Sequence, residues 1–236
     1  MTGRLGILSL NIYHGALQKE LLAYIGHKLA HTDIFCFQEA DPAIVEQLDE
    51  LLIGEFSAYY AYKENDADDY HLATYVRRNL QVVRNREVLA GVGSVGLGLA
   101  CTVRTSGDKE LTITSVHGNS QPGHKLDTPD RLVQSGQLIE SSNTSNGTSV
   151  FIGDFNLLPG TESVDMFVKS GYRNLINEYN IATTRNEIAW RRYPENKQLY
   201  ADYAFIRGGS GVVYDFTVEP IDVSDHLPLL LQVKIT

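Results

Sequence analysis

The sequence predicts an α/β fold in which two β-sheets pack face to face and helices cover their outer surfaces. Three observations lead to this prediction: the chain begins with a β-α-β pattern, its middle is rich in strands, and both halves mix strands with a few helices. The 236 residues are 43% hydrophobic and 21% charged, a composition typical of folded proteins. Because no repeat or linker-like segment interrupts them, we expect residues 1–236 to form a single domain.

The β-α-β unit occupies the N-terminal part of the chain. Short apolar runs at 5–10 and 33–37 predict strands, and the apolar residues of 17–29 recur with helical spacing. Asp41 and Pro42 then supply an N-cap and a first-turn residue for a second helix that ends at Gly54.

The remaining elements follow in order. Four β-rich runs separated by turn residues predict an antiparallel meander over 71–76, 80–89, 95–103 and 111–117. A helix is expected from about Pro129 to Glu140, and a buried strand over 150–153. The last third predicts a short helix near 164–169, irregular sequence to about residue 198, and strands at 200–206, 212–218 and 227–235.

Charge and cysteine content restrict the partners and the location. The 20 Lys+Arg and 29 Asp+Glu residues give a net charge of -9, which excludes a broad basic face for nucleic acid. Cys36 and Cys101 are too few for a disulfide framework, which favours a reducing compartment such as the cytoplasm. No apolar run approaches the roughly 18 residues of a membrane span. We expect a monomer without a membrane span.

Polar residues that lie at or beside the ends of apolar runs are the candidates for a functional site. They are Asn11, Gln38, Glu39, His117, Asp154, Asn156, Asp202, Asp225 and His226. Strand ends gather side chains into one crevice in α/β folds. Glu39, Asp154 and Asp225 would repel one another there without a cation, and their oxygens suit Mg²⁺ or Mn²⁺. Such a site fits hydrolysis of phosphate esters.

Six short motifs run through the chain: LNI at 10–12, FQE at 37–39, SVH at 115–117, IGDFN at 152–156, ADYAF at 201–205 and VSDHLP at 223–228. Taken in order, they resemble the endonuclease/exonuclease/phosphatase superfamily. The resemblance implies a DNase I-like, four-layer α/β/β/α sandwich of two mixed β-sheets. It also implies a Mg²⁺-dependent hydrolase of phosphoric esters in which water attacks in line. A phosphodiesterase acting on nucleic acid and a phosphatase acting on a smaller ester both remain open.

The resemblance also assigns metal ligands. Glu39 is expected to be the main ligand, with Asn11 beside it and Asp225 on the opposite side. Abasic-site endonucleases place an Asp two residues after the Asn, where this chain has Tyr13 followed by His14. The departure argues against that subgroup. It favours one Mg²⁺ that retains several waters over a metal pair, with Mn²⁺ as a substitute.

The catalytic residues are assigned in the same way. The resemblance implies that Asp154 orients or deprotonates the attacking water and that Asn156 holds this water or a phosphate oxygen. His226 is expected to contact the scissile phosphate, with Asp202 fixing its tautomer. His117 is expected to bind another phosphate oxygen or to assist the leaving group. Either Asp154 or His226 remains possible as the general base.

Other patterns have weaker interpretations. The glycines of 91–96 match a dinucleotide-loop pattern, but strand-like sequence follows them instead of a helix, which argues against an oxidoreductase. Asp66–Asp69 fails the spacing of a calcium loop. Arg131 and Gln134 are expected to make structural hydrogen bonds. His124 and the basic, aromatic stretch 185–193 are equally compatible with a substrate contact and with a surface loop. A binding or scaffolding protein without turnover is the rival function.

Overall fold

The computed structural model describes residues 4–63, 70–89, 95–105, 108–142, 147–191 and 194–235. The strands are β1 (Arg4–Asn11), β2 (Ile34–Gln38), β3 (Phe56–Lys63), β4 (Tyr70–Arg77), β5 (Gln81–Val88), β6 (Leu97–Arg104), β7 (Glu110–His117), β8 (Thr148–Asp154), β9 (Arg173–Asn174), β10 (Asp202–Arg207), β11 (Val212–Val218) and β12 (Leu229–Ile235). The helices are α1 (Gln18–Lys28), α2 (Pro42–Leu52), α3 (Pro129–Ser142), α4 (Glu162–Lys169), α5 (Leu175–Glu178) and α6 (Glu187–Trp190).

The strands form two mixed sheets of six strands each. The first sheet has the order β11-β12-β1-β2-β4-β3, and the second has the order β5-β6-β7-β8-β10-β9. Each sheet has one parallel pair near its centre, β1 with β2 and β7 with β8, while the pairs beside them are antiparallel. This arrangement confirms the predicted fold class.

Apolar side chains hold the layers together. On the first sheet, Leu21 of α1 and Leu48 of α2 pack in one cluster with Phe35 and Phe37 of β2. A larger cluster joins both sheets and the helices on the second sheet, α3 and α4. Cys36 and Cys101 are free, buried members of this larger cluster.

The predicted meander is wrong in its first strand. The run 71–76 belongs to β4, which pairs with β2 and β3 in the first sheet, so only β5, β6 and β7 form the meander. Alternation of apolar residues indicates a strand but does not identify its partner. Strand β3, an edge strand formed by the run FSAYYAYK, is absent from the elements predicted from the sequence.

The predicted irregular stretch before residue 198 contains three short elements, β9, α5 and α6. Elements of two to four residues are too short to show a period in sequence. In the part of the chain that the structure describes, no helix is long and apolar enough to cross a membrane. Asp66–Asp69, residues 91–94 of the glycine run, Arg192 and Tyr193 lie outside the described residues.

Candidate active site

Strand pairing brings the predicted site residues to one edge of the two facing sheets. Asn11 at the end of β1 is in register with Gln38 at the end of β2. In the second sheet, Asp154 at the end of β8 is in register with both His117 on β7 and Asp202 on β10. The parallel pairs therefore deliver side chains from four strand ends into the same region.

The backbone at this edge adopts unusual conformations. Gly153 has a φ of 138°, and a Cβ there would lie 2.3 Å from the carbonyl oxygen of Val116, so a larger residue would force β7 and β8 apart. Glu39 and Asn156 also have positive φ angles, of 53° and 54°. Non-glycine residues pay a conformational cost in this region, and such strain clusters at functional sites.

A buried glutamine joins the two sheets beneath the site. Gln38 Nε2 donates hydrogen bonds to Ser115 Oγ on β7 at 2.9 Å and to Ser9 Oγ on β1 at 3.3 Å. Because Gln38 directly precedes Glu39, these bonds fix the point from which the Glu39 side chain enters the site.

The first group of polar side chains surrounds Asn11. Its Nδ2 donates to Glu39 Oε1 and to Asp154 Oδ2, both at 3.0 Å. His117 Nε2 lies 3.5 Å from Glu39 Oε1. Glu39, His117 and Asp154 each offer a ligand atom within 4.8 Å of the others, a separation that a metal ion can bridge.

The second group is a buried histidine–aspartate pair. His226 Nδ1 is 2.9 Å from Asp202 Oδ2, and His226 Nε2 is 3.8 Å from Asp154 Oδ2. Burial lowers the pKa of His226, but the charges of Asp202, Asp225 and Asp154 outweigh it and raise the pKa to about 9. The imidazole therefore carries a positive charge at neutral pH. Burial raises the pKa of Asp202, against the opposing effect of His226.

The pKa of Asp154 and the pKa of His117 are both lowered, for different reasons. Burial raises the pKa of Asp154, but His226, Lys125 and His117 outweigh it together with a hydrogen bond from the Asn156 amide, and the pKa is lowered to about 2. Burial lowers the pKa of His117, although Glu39 and Asp154 oppose this. The site thus combines an ionised carboxylate, a cationic imidazole and a neutral imidazole.

Asp225 enters from the loop before β12. Arg185 Nη2 lies 3.0 Å from Asp225 Oδ2, and the Arg185 Nε atom is buried without a hydrogen-bond partner among the residues that the structure describes. The neighbouring Ser224 Oγ donates to the Asn11 carbonyl oxygen at 2.6 Å and ties this loop to the end of β1. A guanidinium that has an unused N–H group beside a carboxylate can donate a hydrogen bond to a further anion.

The structure brings into this region the eight residues to which the resemblance assigns a role, together with Lys125 and His14, which have no predicted role. Lys125, which is buried, donates from Nζ to Asn156 Oδ1. His14 lies between Glu39 and Asp41: its Nε2 is 3.2 Å from Glu39 Oε2 and its Nδ1 is 2.9 Å from Asp41 Oδ1. Burial lowers the pKa of His14, but these carboxylates and Asp225 outweigh it and raise the pKa.

Arg131 and Gln134 hold the loop that carries Lys125. The fully buried Arg131 guanidinium donates to the carbonyl oxygens of Asn119, Leu126 and Pro122, among others. Gln134 Oε1 accepts from the Asn119 amide at 2.8 Å. The structural role expected for both residues is therefore confirmed. They stabilise the loop that forms one wall of the site.

Comparison with known proteins identifies the fold and the family. The sequence profile of the Endonuclease/Exonuclease/phosphatase family matches residues 8–226. No curated protein sequence matches the chain. The solved human Nocturnin catalytic domain with bound sulfate has a TM-score of 0.76 and 16% identity, covering 100% of this chain and 96% of that chain. A humanized D. rerio TDP2 has a TM-score of 0.76 and 18% identity, covering 99% of this chain and 100% of that one.

A functionally unknown conserved protein from Enterococcus faecalis has the same TM-score of 0.76 at 18% identity, covering 98% of this chain and 100% of that chain. The TM-scores show that these structures share the fold of this chain. The family profile spans most of the chain, from β1 to the loop before β12. This protein belongs to the Endonuclease/Exonuclease/phosphatase family, which is named for enzymes that hydrolyse phosphoric esters.

Proposed function

We propose that this protein is a Mg²⁺-dependent hydrolase of phosphoric esters, with Mn²⁺ as a substitute. The convergence of Glu39, Asp154, Asp202 and Asp225 at one largely buried edge carries the proposal. Carboxylates gathered in this way need cations to offset their repulsion. His226, Lys125 and Arg185 supply part of the positive charge, and a divalent cation would supply more.

Glu39, Asn11 and Asp225 are the proposed metal ligands. The carboxylate oxygens of Glu39 and Asp225 are hard donors of the kind that Mg²⁺ prefers, and the side chain of Glu39 is 20% exposed, which leaves room for water. Asn11 turns its Nδ2 toward Glu39 and its Oδ1 toward the Tyr13 amide, so its amide group would rotate to offer the oxygen to the metal. A divalent cation bound there would polarise phosphate oxygens and offset charge that develops in the transition state.

Asp154 is the proposed acceptor for the proton of the attacking water. The Asp154 carboxylate is ionised at neutral pH and can accept a proton. His226 is protonated on both ring nitrogens and would instead donate a hydrogen bond to a phosphate oxygen. Asp202 orients the His226 imidazolium by accepting a hydrogen bond from Nδ1. Asn156 and His117 would bind the water or the remaining phosphate oxygens, and His117 could also assist the leaving group.

The substrate class is proposed to be a phosphodiester of small size or at the end of a nucleic-acid strand. The net charge of -9 disfavours an extended contact with a long duplex. A related structure of D. rerio TDP2 was solved with a single-strand DNA product, and Nocturnin holds a sulfate, an analogue of phosphate. A phosphatase acting on monoesters is the second candidate, since the phosphate-binding groups would be the same.

The test is an assay with bis(p-nitrophenyl) phosphate, p-nitrophenyl phosphate, single-stranded DNA and duplex DNA, each with Mg²⁺, Mn²⁺ or EDTA. We expect turnover of at least one ester that EDTA abolishes. Glu39→Gln and His226→Gln should each lower kcat/KM by about 10²-fold or more. Glu46→Gln, an exposed residue of α2, is the matched control and should keep full activity.

Two outcomes would contradict the proposal. Activity that survives EDTA would remove the metal from the mechanism. Binding of DNA without hydrolysis of any ester would favour the rival function, a scaffolding protein with the fold of an enzyme. Circular dichroism of each variant separates loss of chemistry from loss of fold.

A further inference from the structure

His14 occupies a position that the proposed mechanism does not use. Its Nε2 atom approaches Glu39 Oε2 to 3.2 Å, and its Nδ1 atom lies 2.9 Å from Asp41 Oδ1. The side chain is 48% exposed, whereas Asn11 and Asp154 are almost fully buried. His14 therefore lies at the solvent side of the proposed metal ligands.

The turn that presents His14 is built in an unusual way. Tyr13, His14 and Gly15 have successive positive φ angles of 50°, 54° and 72°. The Tyr13 amide donates to Asn11 Oδ1 at 3.0 Å, and a Cβ on Gly15 would lie 2.9 Å from Ile44 Cγ1 of α2. Two consecutive non-glycine residues in the left-handed region are costly. The side chain of Asn11 and the packing of Gly15 hold this strained turn in place.

The separation between His14 and Glu39 fits two ligands of one cation. Ligand atoms bound about 2.0–2.2 Å from a metal ion at right angles to each other lie about 3 Å apart. Histidines that bind metals commonly donate their other ring N–H to a carboxylate, which fixes the tautomer and exposes the lone pair of Nε2. Asp41 is placed to accept from Nδ1 in this way.

We infer that His14 is an additional ligand of the metal ion that Glu39 binds, oriented by Asp41. The inference rests on the proposed function, because it assumes a metal at Glu39. It also has a consequence for metal choice. Imidazole nitrogen suits transition metals better than it suits Mg²⁺, so His14 would shift the preference of the site toward Mn²⁺.

Binding of Mn²⁺ to the 236-residue chain, measured by electron paramagnetic resonance, tests the inference without an activity assay. His14→Ala is expected to weaken Mn²⁺ binding by about tenfold or more and to change Mg²⁺ binding much less. Pulsed measurements on bound Mn²⁺ should show coupling to an imidazole nitrogen that decreases in His14→Ala. Asp41→Asn should weaken Mn²⁺ binding by an intermediate factor. His27→Ala, an exposed histidine of α1, is the control and should bind Mn²⁺ like the parent protein.

Glu39→Gln separates this inference from the proposed function. If the parent protein binds no Mn²⁺ that depends on Glu39, the proposed function fails. If it binds Mn²⁺ through Glu39 but His14→Ala binds it equally well or more tightly, only the role of His14 is overturned. Tighter binding would mean that His14 acts as a cation that competes with the metal for Glu39.

Discussion

The ammonium of Lys125 donates a hydrogen bond to the Oδ1 atom of Asn156, and both side chains are buried. This contact joins the loop after β7 to Asn156, which lies two residues beyond the end of β8. Burial lowers the pKa of Lys125, while the carboxylates Asp154 and Asp202 oppose that effect. The loop thus contributes a cation to a site whose other walls are rich in carboxylates.

Lys125→Met should lower kcat/KM for a phosphodiester by about 10²-fold, the usual effect of removing one donor from a preorganised site. The substitution removes the charge and keeps most of the volume. It should also raise the pKa of Asp154, which Lys125 lowers, and move the acidic limb of the pH–rate profile upward. Lys169→Met, on the exposed face of α4, is the control. Equal loss of activity in both variants would refute the role of Lys125.

The His226–Asp202 pair should make stability depend on pH in metal-free protein. The pKa of His226 is raised from 6.5 to about 9 in the folded state. The stabilisation that the protonated His226 provides is therefore complete below pH 6.5 and is lost as pH rises through 9. Urea unfolding in EDTA should therefore show a free energy of unfolding that falls over this interval. In His226→Gln this part of the pH dependence should disappear. A parent protein with the same pH dependence as this variant would contradict the prediction.

Arg131→Leu should destabilise the fold by about 3 kcal/mol or more, because it leaves several buried carbonyl oxygens without a donor. Arg131→Lys should restore little of this stability, since a single ammonium cannot contact all the carbonyl oxygens that the guanidinium binds at once. Thermal and urea unfolding measure the loss. Arg173→Leu removes an exposed arginine paired with Glu178 and should cost less than about 1 kcal/mol. Similar losses for the two arginines would count against the role of Arg131.

Arg185→Gln should change metal and substrate binding in opposite directions. Removing a cation 3.0 Å from Asp225 Oδ2 leaves the site more negative, so Mg²⁺ should bind about two- to tenfold more tightly. The anionic substrate should bind more weakly and KM should rise. Calorimetric titration with Mg²⁺ and steady-state kinetics test the two effects. Weaker Mg²⁺ binding would show that Arg185 positions Asp225 instead of balancing its charge.

Much of the site could be predicted because its residues follow strands whose apolar patterns are clear. Asp154 and His117 each lie at the end of a buried β-run, and the parallel pairing of β7 with β8 places them in register. Phe56–Lys63 escaped prediction because its residues do not alternate between apolar and polar, although its aromatic side chains favour a strand. The partner of β4 escaped prediction because it depends on contacts distant in sequence.

Lys125 and His14 were missed for a different reason. Both lie in turns, and their side chains reach the site only because local backbone angles are left-handed, with φ of 56° and 54°. Lys125 follows His124 in a polar loop, where sequence alone does not distinguish a residue that points inward from one that points to solvent. The loop conformation depends on Arg131, which lies on another element.

The bond between Ser224 and Asn11 has a consequence for how the protein folds. The two residues are separated by 213 positions, yet they lie side by side at the site, and β12 pairs directly with β1. Contacts of such long range form slowly because they must overcome a large loop-closure entropy. During synthesis, the proposed site would remain incomplete until β12 has emerged from the ribosome and paired with β1. A nascent chain stalled before residue 224 would therefore lack the completed site, and completion of the site would be separated in time from the folding of the second sheet.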